Sequence, residues 1–224
     1  MRDRSGSLYP SFEIERELVR QGCRAIAGVD EAGRGALAGP LCVGLVVFDC
    51  SLFNAPPEEL HAINDSKKLT PRARGLLREV ISRHAMHART VMVSHSTIDR
   101  LNVNRATERG LELLLKNIEP RPDVVIMDGT FRFSPGIRFV PVAGGDARSI
   151  SIAAASIAAK VDRDRLMDKF DLRFPGYRLK KNKGYGTRDH MEAILSMGPT
   201  PIHRRSYEPV RSMLERTSSL FHEA

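Results

Sequence analysis

The residues best able to do chemistry in this sequence are carboxylates that follow short apolar runs. The segment 26–39 reads IAGVDEAGRGALAG and places Asp30 beside Glu31. Asp128 closes the run DVVIMD and precedes Gly129, and Asp146 follows Gly144-Gly145. Neighbours in a regular strand point to opposite faces, so Asp30 and Glu31 share a site only if the strand ends and the chain turns. Ala32-Gly33-Arg34-Gly35 offers that turn, because glycine accepts backbone angles closed to other residues. Two acids buried after an apolar strand cost free energy unless they are paired or hold a metal. An ordinary surface turn is the alternative. Asp128 is either a functional carboxylate at the C-terminal end of a strand or a turn cap with Gly129. Asp146 stands near the start of a helix, where the dipole favours an acid whatever its role. Asp162, Asp164 and Asp168 lie among basic residues and are expected to form solvated pairs along a helix.

Four acids without a partnering histidine cluster suit a hard cation such as Mg²⁺ or Mn²⁺. The seven histidines show no HExxH pattern, and His84 and His87 are expected at a solvated helix end. Gly28 and Gly33 are spaced as in a phosphate-binding loop, but Arg34-Gly35 stands where Lys-Ser/Thr is required, which argues against a nucleotide hydrolase. Cys23, Cys42 and Cys50 make no CxxC and no paired framework. They predict a reducing compartment and no structural zinc.

The basic residues point to a polyanion. Net charge is +8, and between Arg173 and Arg216 ten Lys/Arg face four Asp/Glu. Ser66, Lys67 and Lys68 lie in Asn64–Leu69 (NDSKKL) just before a helix, where they either hold phosphates or form a plain helix entry. Lys183 and Tyr185 lie in the basic loop KKNKGYGT. A tyrosine between two glycines can stack on a nucleotide, or fold back on the core. His203-Arg204-Arg205-Ser206 adds phosphate contacts or forms a solvated turn.

The elements that must position these groups are legible from periodicity. Strands are expected at 25–30, 41–48, 90–93, 123–128 and 139–142. Helices are expected from Thr70, with Thr as N-cap and Pro71 at the first position, and over 104–118, 150–170 and 187–197. Residues 1–170 then form an α/β core, and 171–224 a basic, mostly helical extension that helps bind substrate. The first twenty residues lack the apolar stretch of a signal peptide, and no run nears the roughly 18 apolar residues of a membrane helix. A cytoplasmic, monomeric protein without a membrane partner is expected.

Together these motifs resemble the ribonuclease HII family, the type 2 ribonucleases H. The matching pieces are GVDEAGRG-x-LAGP, NDSKKL, Asp128-Gly129, GGD followed by SIAAASIAAKV-x-RD, KGYGT and PIHRRSY-x-P, from about Ile26 to Val210. The resemblance implies an RNase H-like α/β fold, a mixed central sheet flanked by helices with a C-terminal helical extension. It implies Asp30, Glu31, Asp128 and Asp146 as catalytic, metal-holding acids. It implies that Gly33-Arg34-Gly35 reads a 2′-hydroxyl and that Tyr185 packs on the sugar of the next deoxynucleotide. The expected substrates are RNA–DNA hybrids and duplex DNA with embedded ribonucleotides, as in ribonucleotide excision repair. Cutting is expected 5′ of the ribonucleotide, leaving 3′-hydroxyl and 5′-phosphate ends, with two Mg²⁺ or Mn²⁺ ions about 3.5–4 Å apart. A non-catalytic nucleic-acid-binding module and a phosphatase for small substrates are the rival readings; the +8 charge and the KGYGT loop favour a polymer over a small substrate.

Overall fold

The strand 41–48, LCVGLVVF, has every residue buried, and it lies inside a five-stranded mixed sheet. In this computed structural model, residues 9–131, 133–134 and 136–220 are described. The described strands are β1 (Ile26–Ala32), β2 (Leu41–Phe48), β3 (Ala85–Val93), β4 (Val124–Asp128) and β5 (Arg138–Val142). The described helices are α1 (Glu13–Arg20), α2 (Pro71–His84), α3 (His95–Leu101), α4 (Val103–Leu115), α5 (Ile150–Arg173), α6 (Leu179–Asn182), α7 (Arg188–Met197) and α8 (Val210–Leu220). The sheet order is β3-β2-β1-β4-β5. β1 runs antiparallel to β2 and parallel to β4, which is parallel to β5.

The chain divides into two compact units that interleave in sequence. The first comprises the chain up to Ala32, Cys42–Val91 and Glu108–Asp162. It holds the sheet and a core in which Phe12 packs against Phe48 and Phe53, with ring centroids 5.6 and 4.9 Å apart. The first part of α5 lies directly on β1 and β2. A Cβ at Gly28 would fall 2.3 Å from the Ser151 carbonyl carbon, and one at Gly44 2.4 Å from the Ala155 oxygen. Small residues in SIAAASIAA permit this approach, and any side chain at either glycine would push helix and sheet apart.

The second unit comprises Gly33–Leu41, Met92–Thr107 and the chain from Arg163. Its core is formed by Leu37, Met167, Tyr177, Leu179, Ile194 and Ile202. The segment 33–41 is tied in by an antiparallel bridge between Ala38 and His203, by Leu37 N–H to the Gly184 carbonyl (2.7 Å) and by Arg204 N–H to the Leu37 carbonyl (2.8 Å).

Several expectations hold. Thr70 caps α2, its Oγ1 accepting from Ala73 N–H at 3.2 Å, with Pro71 in the first turn. Thr187 caps α7 in the same way. Others need correction. β1 does not end at Asp30 but stays paired with β2 through Ala32, opposite Cys42. β3 begins at Ala85, so His87 lies in a strand, its Nε2 2.7 Å from the Glu119 carbonyl. Asp162 accepts from Thr90 Oγ1 (2.8 Å) and Arg78 (3.3 Å), and Asp168 pairs with Lys183; neither is a solvated pair along the helix. Helices α1 and α3 fall outside the expected elements, and α6 takes up the start of the loop expected at 180–187.

Candidate active site

Asp30 and Asp128 stand at the same level of two neighbouring parallel strands. The β1–β4 register runs through Val29 opposite Met127, and each acid is the next residue. Alternation along β1 puts Asp30 on the α5 face, with Gly28, and Glu31 on the other. The expected turn follows at residues 33–36, where Ala36 N–H donates to the Gly33 carbonyl at 3.3 Å, but the strand runs on through both acids and Glu31 reaches Asp30 as its immediate strand neighbour. Its N–H donates to Asp30 Oδ1 at 2.8 Å.

Asp30 is only 6% exposed. Burial drives its pKa well above the ordinary carboxylate value, and the charges of Glu31 and Asp128 push the same way. A hydrogen bond from the Ser156 hydroxyl opposes them. Ser156 Oγ lies 3.0 Å from Ser66 Oγ, so with Ser156 donating to Asp30, Ser66 must donate to Ser156. Ser66 is thus buried support for Asp30, not an exposed phosphate contact.

Asp128 is likewise raised, by burial and by Asp146, while the Gly145 N–H donating to its Oδ1 at 2.6 Å works against the shift. The Asp146 turn starts at Gly144 in the left-handed region (φ +62°) and is fastened from the N-terminal segment. Ser11 N–H donates to the Arg148 carbonyl at 3.1 Å, and Ile150 N–H to the Ser11 carbonyl at 3.2 Å. Fully buried Glu15 accepts from Ser149 Oγ (2.5 Å) and Ser151 N–H (3.1 Å) at the start of α5. Burial raises its pKa as well.

Lys67 Nζ lies 3.3 Å from Asp146 Oδ2. Partial burial works to lower the lysine's pKa, but Asp146, Asp65 and Asp30 outweigh it and raise it. Four predicted acids are thus electrostatically linked within one unit, with a lysine drawn to them. Among the described residues, no three acidic side chains are folded around a common point. Asp30 is turned onto Ser156, Asp128 onto Gly145, and Asp146 onto Lys67. All four are hard oxygen donors, and their mutual repulsion is what a divalent cation relieves, so the set fits Mg²⁺ or Mn²⁺.

The remaining predicted residues belong to the second unit, except Lys68, which follows Lys67 in the first. Arg34 donates a guanidinium hydrogen bond to Asn104 Oδ1. Gly33 has φ +88°, and a Cβ there would collide with the Arg163 guanidinium, whereas a Cβ at Gly35 would meet nothing within 4 Å. Tyr185 is 36% exposed, with the Arg163 Cζ 5.5 Å from its ring centroid. Lys183 Nζ is engaged by Asp168.

Sequence reasoning missed the interior of this unit. Arg163 and Arg204 are both fully buried. So are His190 and His203, whose Nε2 atoms lie 3.2 Å apart. The expectation for His203-Arg204-Arg205-Ser206 is phosphate contact or a solvated turn. The segment is neither at His203 and Arg204, which face inward; Arg205 and Ser206 are exposed, their N–H groups donating to Asp99.

Comparison with known proteins agrees with this architecture. The family description ribonuclease HII matches residues 27–210. The chain is 42% identical to ribonuclease HII of Syntrophomonas wolfei over 200 residues, covering 89% of this chain and 76% of that one. It is 44% identical to ribonuclease HII of Chlorobium luteolum, covering 89% and 96%. Among solved structures, ribonuclease H2 of Pyrococcus horikoshii OT3 superimposes with a TM-score of 0.70 at 27% identity, covering 87% of this chain and 99% of that one. The RNase H-like fold expected from the motifs is thus the observed one. With its acids on β1, β4 and the turn before α5, the chain belongs to the ribonuclease HII family of metal-dependent endoribonucleases acting on RNA–DNA hybrids.

Proposed function

We propose that the protein cuts the RNA strand of RNA–DNA hybrids and incises duplex DNA 5′ of embedded ribonucleotides by two-metal hydrolysis, leaving 3′-hydroxyl and 5′-phosphate ends. The observation that carries this reading is the gathering of carboxylates, Asp30 and Asp128 at the same level of neighbouring strands with Glu31 beside Asp30 and Asp146 in the turn before α5. Burial, Glu31 and Asp128 all resist ionisation of Asp30, a cost that makes sense at a site completed by cations. Asp30, Glu31, Asp128 and Asp146 are the residues that would hold them. Bound Mg²⁺ or Mn²⁺ would supply Lewis-acid stabilisation of the phosphate and an activated water. The chain's own part is to hold the acids in place. Ser156 and Ser66 fix Asp30, the Gly145 N–H fixes Asp128, and Lys67 balances Asp146 until the site is filled.

Choice of RNA over DNA falls to the second unit. Gly33 must be glycine for internal reasons, namely its φ and the Arg163 guanidinium beneath it. Gly35 has no such reason, since its Cβ would point into open space. A glycine with room around it suits the close approach of something from outside, here the ribose bearing the 2′-hydroxyl. Exposed Tyr185 offers a ring face to the neighbouring sugar, and the exposed basic residues after 171, among them Lys180, Arg188 and Arg205, hold the backbone with Arg34, Lys67 and Lys68. The reading includes action in the cytoplasm as a monomer.

The test is cleavage of labelled duplex DNA carrying one ribonucleotide, with and without Mg²⁺ or Mn²⁺. We expect a single cation-dependent cut 5′ of the ribonucleotide, absent for Asp30→Asn. Binding without any cut in every cation condition would return the chain to the non-catalytic reading.

A further inference from the structure

Five carbonyls of the segment 33–40, those of Gly33, Arg34, Ala38, Gly39 and Pro40, are turned inward onto two buried guanidinium groups. Arg204 donates through Nη2 to the Gly33 carbonyl (2.6 Å), through Nη1 to Arg34 (2.7 Å) and through Nε to Gly39 (3.2 Å). Arg163 donates through Nε to Pro40 (2.9 Å), through Nη2 to Ala38 (3.2 Å) and through Nη1 to Lys183 (2.8 Å). The Arg34 carbonyl has a second donor, the Tyr207 hydroxyl at 2.9 Å. Arg204 also lies over the Tyr207 ring, its Cζ 5.0 Å from the centroid.

A trans peptide is planar, with its C=O and N–H pointing in opposite directions. Holding the Gly33 carbonyl on Arg204 therefore aims the Arg34 N–H away from the buried guanidinium. Holding the Arg34 carbonyl on Arg204 and Tyr207 aims the Gly35 N–H away likewise. Both peptide planes are set by one side chain that never reaches the surface, and the side chain missing at Gly35 leaves the outer face open.

We infer that Arg204, assisted by Tyr207, is a positioning residue that orients the amides of Arg34 and Gly35 as a pair of outward donors for a sugar hydroxyl. The inference rests on the reading that this loop recognises the ribose of the substrate. Arg204 itself touches no substrate. It acts by denying the loop other peptide orientations, so its loss weakens discrimination rather than the chemistry at the carboxylates. Lysine at 204 supplies a charge but not the planar fork that serves three carbonyls at once.

The measurement is the KM and kcat of Arg204→Lys and Tyr207→Phe on duplex DNA with one ribonucleotide. It is paired with the ratio of their affinities for that duplex and for the all-DNA duplex, per folded molecule by thermal melting. We expect Arg204→Lys to raise KM about tenfold or more with a much smaller change in kcat, and to shrink the ribonucleotide preference similarly. Tyr207→Phe, which removes one neutral hydrogen bond, should move both in the same direction by severalfold, and it decides the matter if Arg204→Lys does not fold. An unchanged preference in folded Arg204→Lys, or in Tyr207→Phe where the lysine variant is unfolded, overturns the inference. Gly35→Ala run in parallel separates the two levels. If it loses the preference while the positioning variants keep it, only the role of Arg204 and Tyr207 falls. If it too keeps the preference, the loop does not read the sugar at all.

Discussion

At the ends of β1 and β4 the chain collects carboxylates; beneath the loop 33–40 it collects guanidinium groups. In the first unit, Asp30 is buried among like charges and its pKa is forced upward. In the second, Arg204 is buried with its pKa pushed down to about 10, by burial and by the charge of Arg163. Each arrangement is costly, since a buried charge without partners loses its hydration. The difference lies in who supplies the partners. The carbonyls that receive Arg163 and Arg204 belong to the protein and are in place, so that unit is complete as folded. The acids repel one another, and in the proposed reading an outside cation completes what Ser156, the Gly145 N–H and Lys67 begin. A buried cation satisfied by carbonyls is scaffold, whereas clustered acids that repel one another are what the proposed cation site would draw on.

The sharpest way to break this contrast is at Asp30. Asp30→Asn should abolish turnover with either metal while leaving hybrid binding largely intact. The same change should raise the melting temperature of the metal-free protein, because it removes a charge that burial and Glu31 disfavour. A variant that is both inactive and less stable would mean that Asp30 is structural. Adding the cation itself comes next. Mg²⁺ or Mn²⁺ at a hundred times its dissociation constant should stabilise the wild type by about 2.7 kcal/mol, a rise of about 5–10 °C in melting temperature. Asp30→Asn should lose most of that rise.

The glycines test the other side. Gly33→Ala should destabilise by about 3 kcal/mol or more, since it strains a positive φ and strikes the Arg163 guanidinium. Gly35→Ala should leave the melting temperature within about 1 °C and raise KM, because its Cβ meets only what arrives from outside. Equal losses of stability at both positions would erase the distinction between an internal and an external reason for glycine.

What the sequence revealed and what it hid divide along the same line. β2 was legible because eight apolar residues bounded by turn formers have no other reading, and α2 because Thr70-Pro71 marks its start. Asp30 and Asp128 stood out because each ends an apolar run, whereas Asp146 follows two glycines and has no such mark. Helices α1 and α3 are too short to announce themselves, their stability coming from packing rather than local preference. Arg163, Arg204 and Glu15 were hidden for a different reason. Charged residues are taken as surface by default, and what permits their burial is a set of partners far off in the chain. Arg204 is satisfied by residues 33, 34 and 39, a pairing that no local pattern encodes.

The histidine pair gives a smaller effect with a sign of its own. Thr200 N–H donates to His203 Nδ1 at 2.8 Å, so the proton of neutral His203 sits on Nε2 and is given to His190 Nε2. His190 must then donate through Nδ1 to the Tyr185 carbonyl at 2.9 Å. Burial, with His190 and His95 adding to it, lowers the His203 pKa from 6.5 to about 4. Its neutral form is therefore favoured by folding. That stability is fully present above pH 6.5 and is lost as pH falls toward 4. Melting temperature should decline across that window, and His203→Gln should flatten the decline. A decline of unchanged steepness in the variant would assign the acid sensitivity to other groups.

Lys183 carries the smallest expected effect and tests whether the two units differ as cleanly as their interiors do. Its Nζ is held by Asp168 and lies 3.4 Å from the Asp164 carbonyl, whereas the side chain of Lys67 is 78% exposed beside Asp146. A lysine tied down within the protein releases no counterions from nucleic acid, and one that meets phosphate does. Lys67→Ala should therefore lower the slope of log affinity against log salt by about 1 on a hybrid duplex, and Lys183→Ala should leave it nearly unchanged. If Lys183→Ala also lowers the slope by about 1, the lysine has left Asp168 for the substrate, and the second unit is not closed at that point.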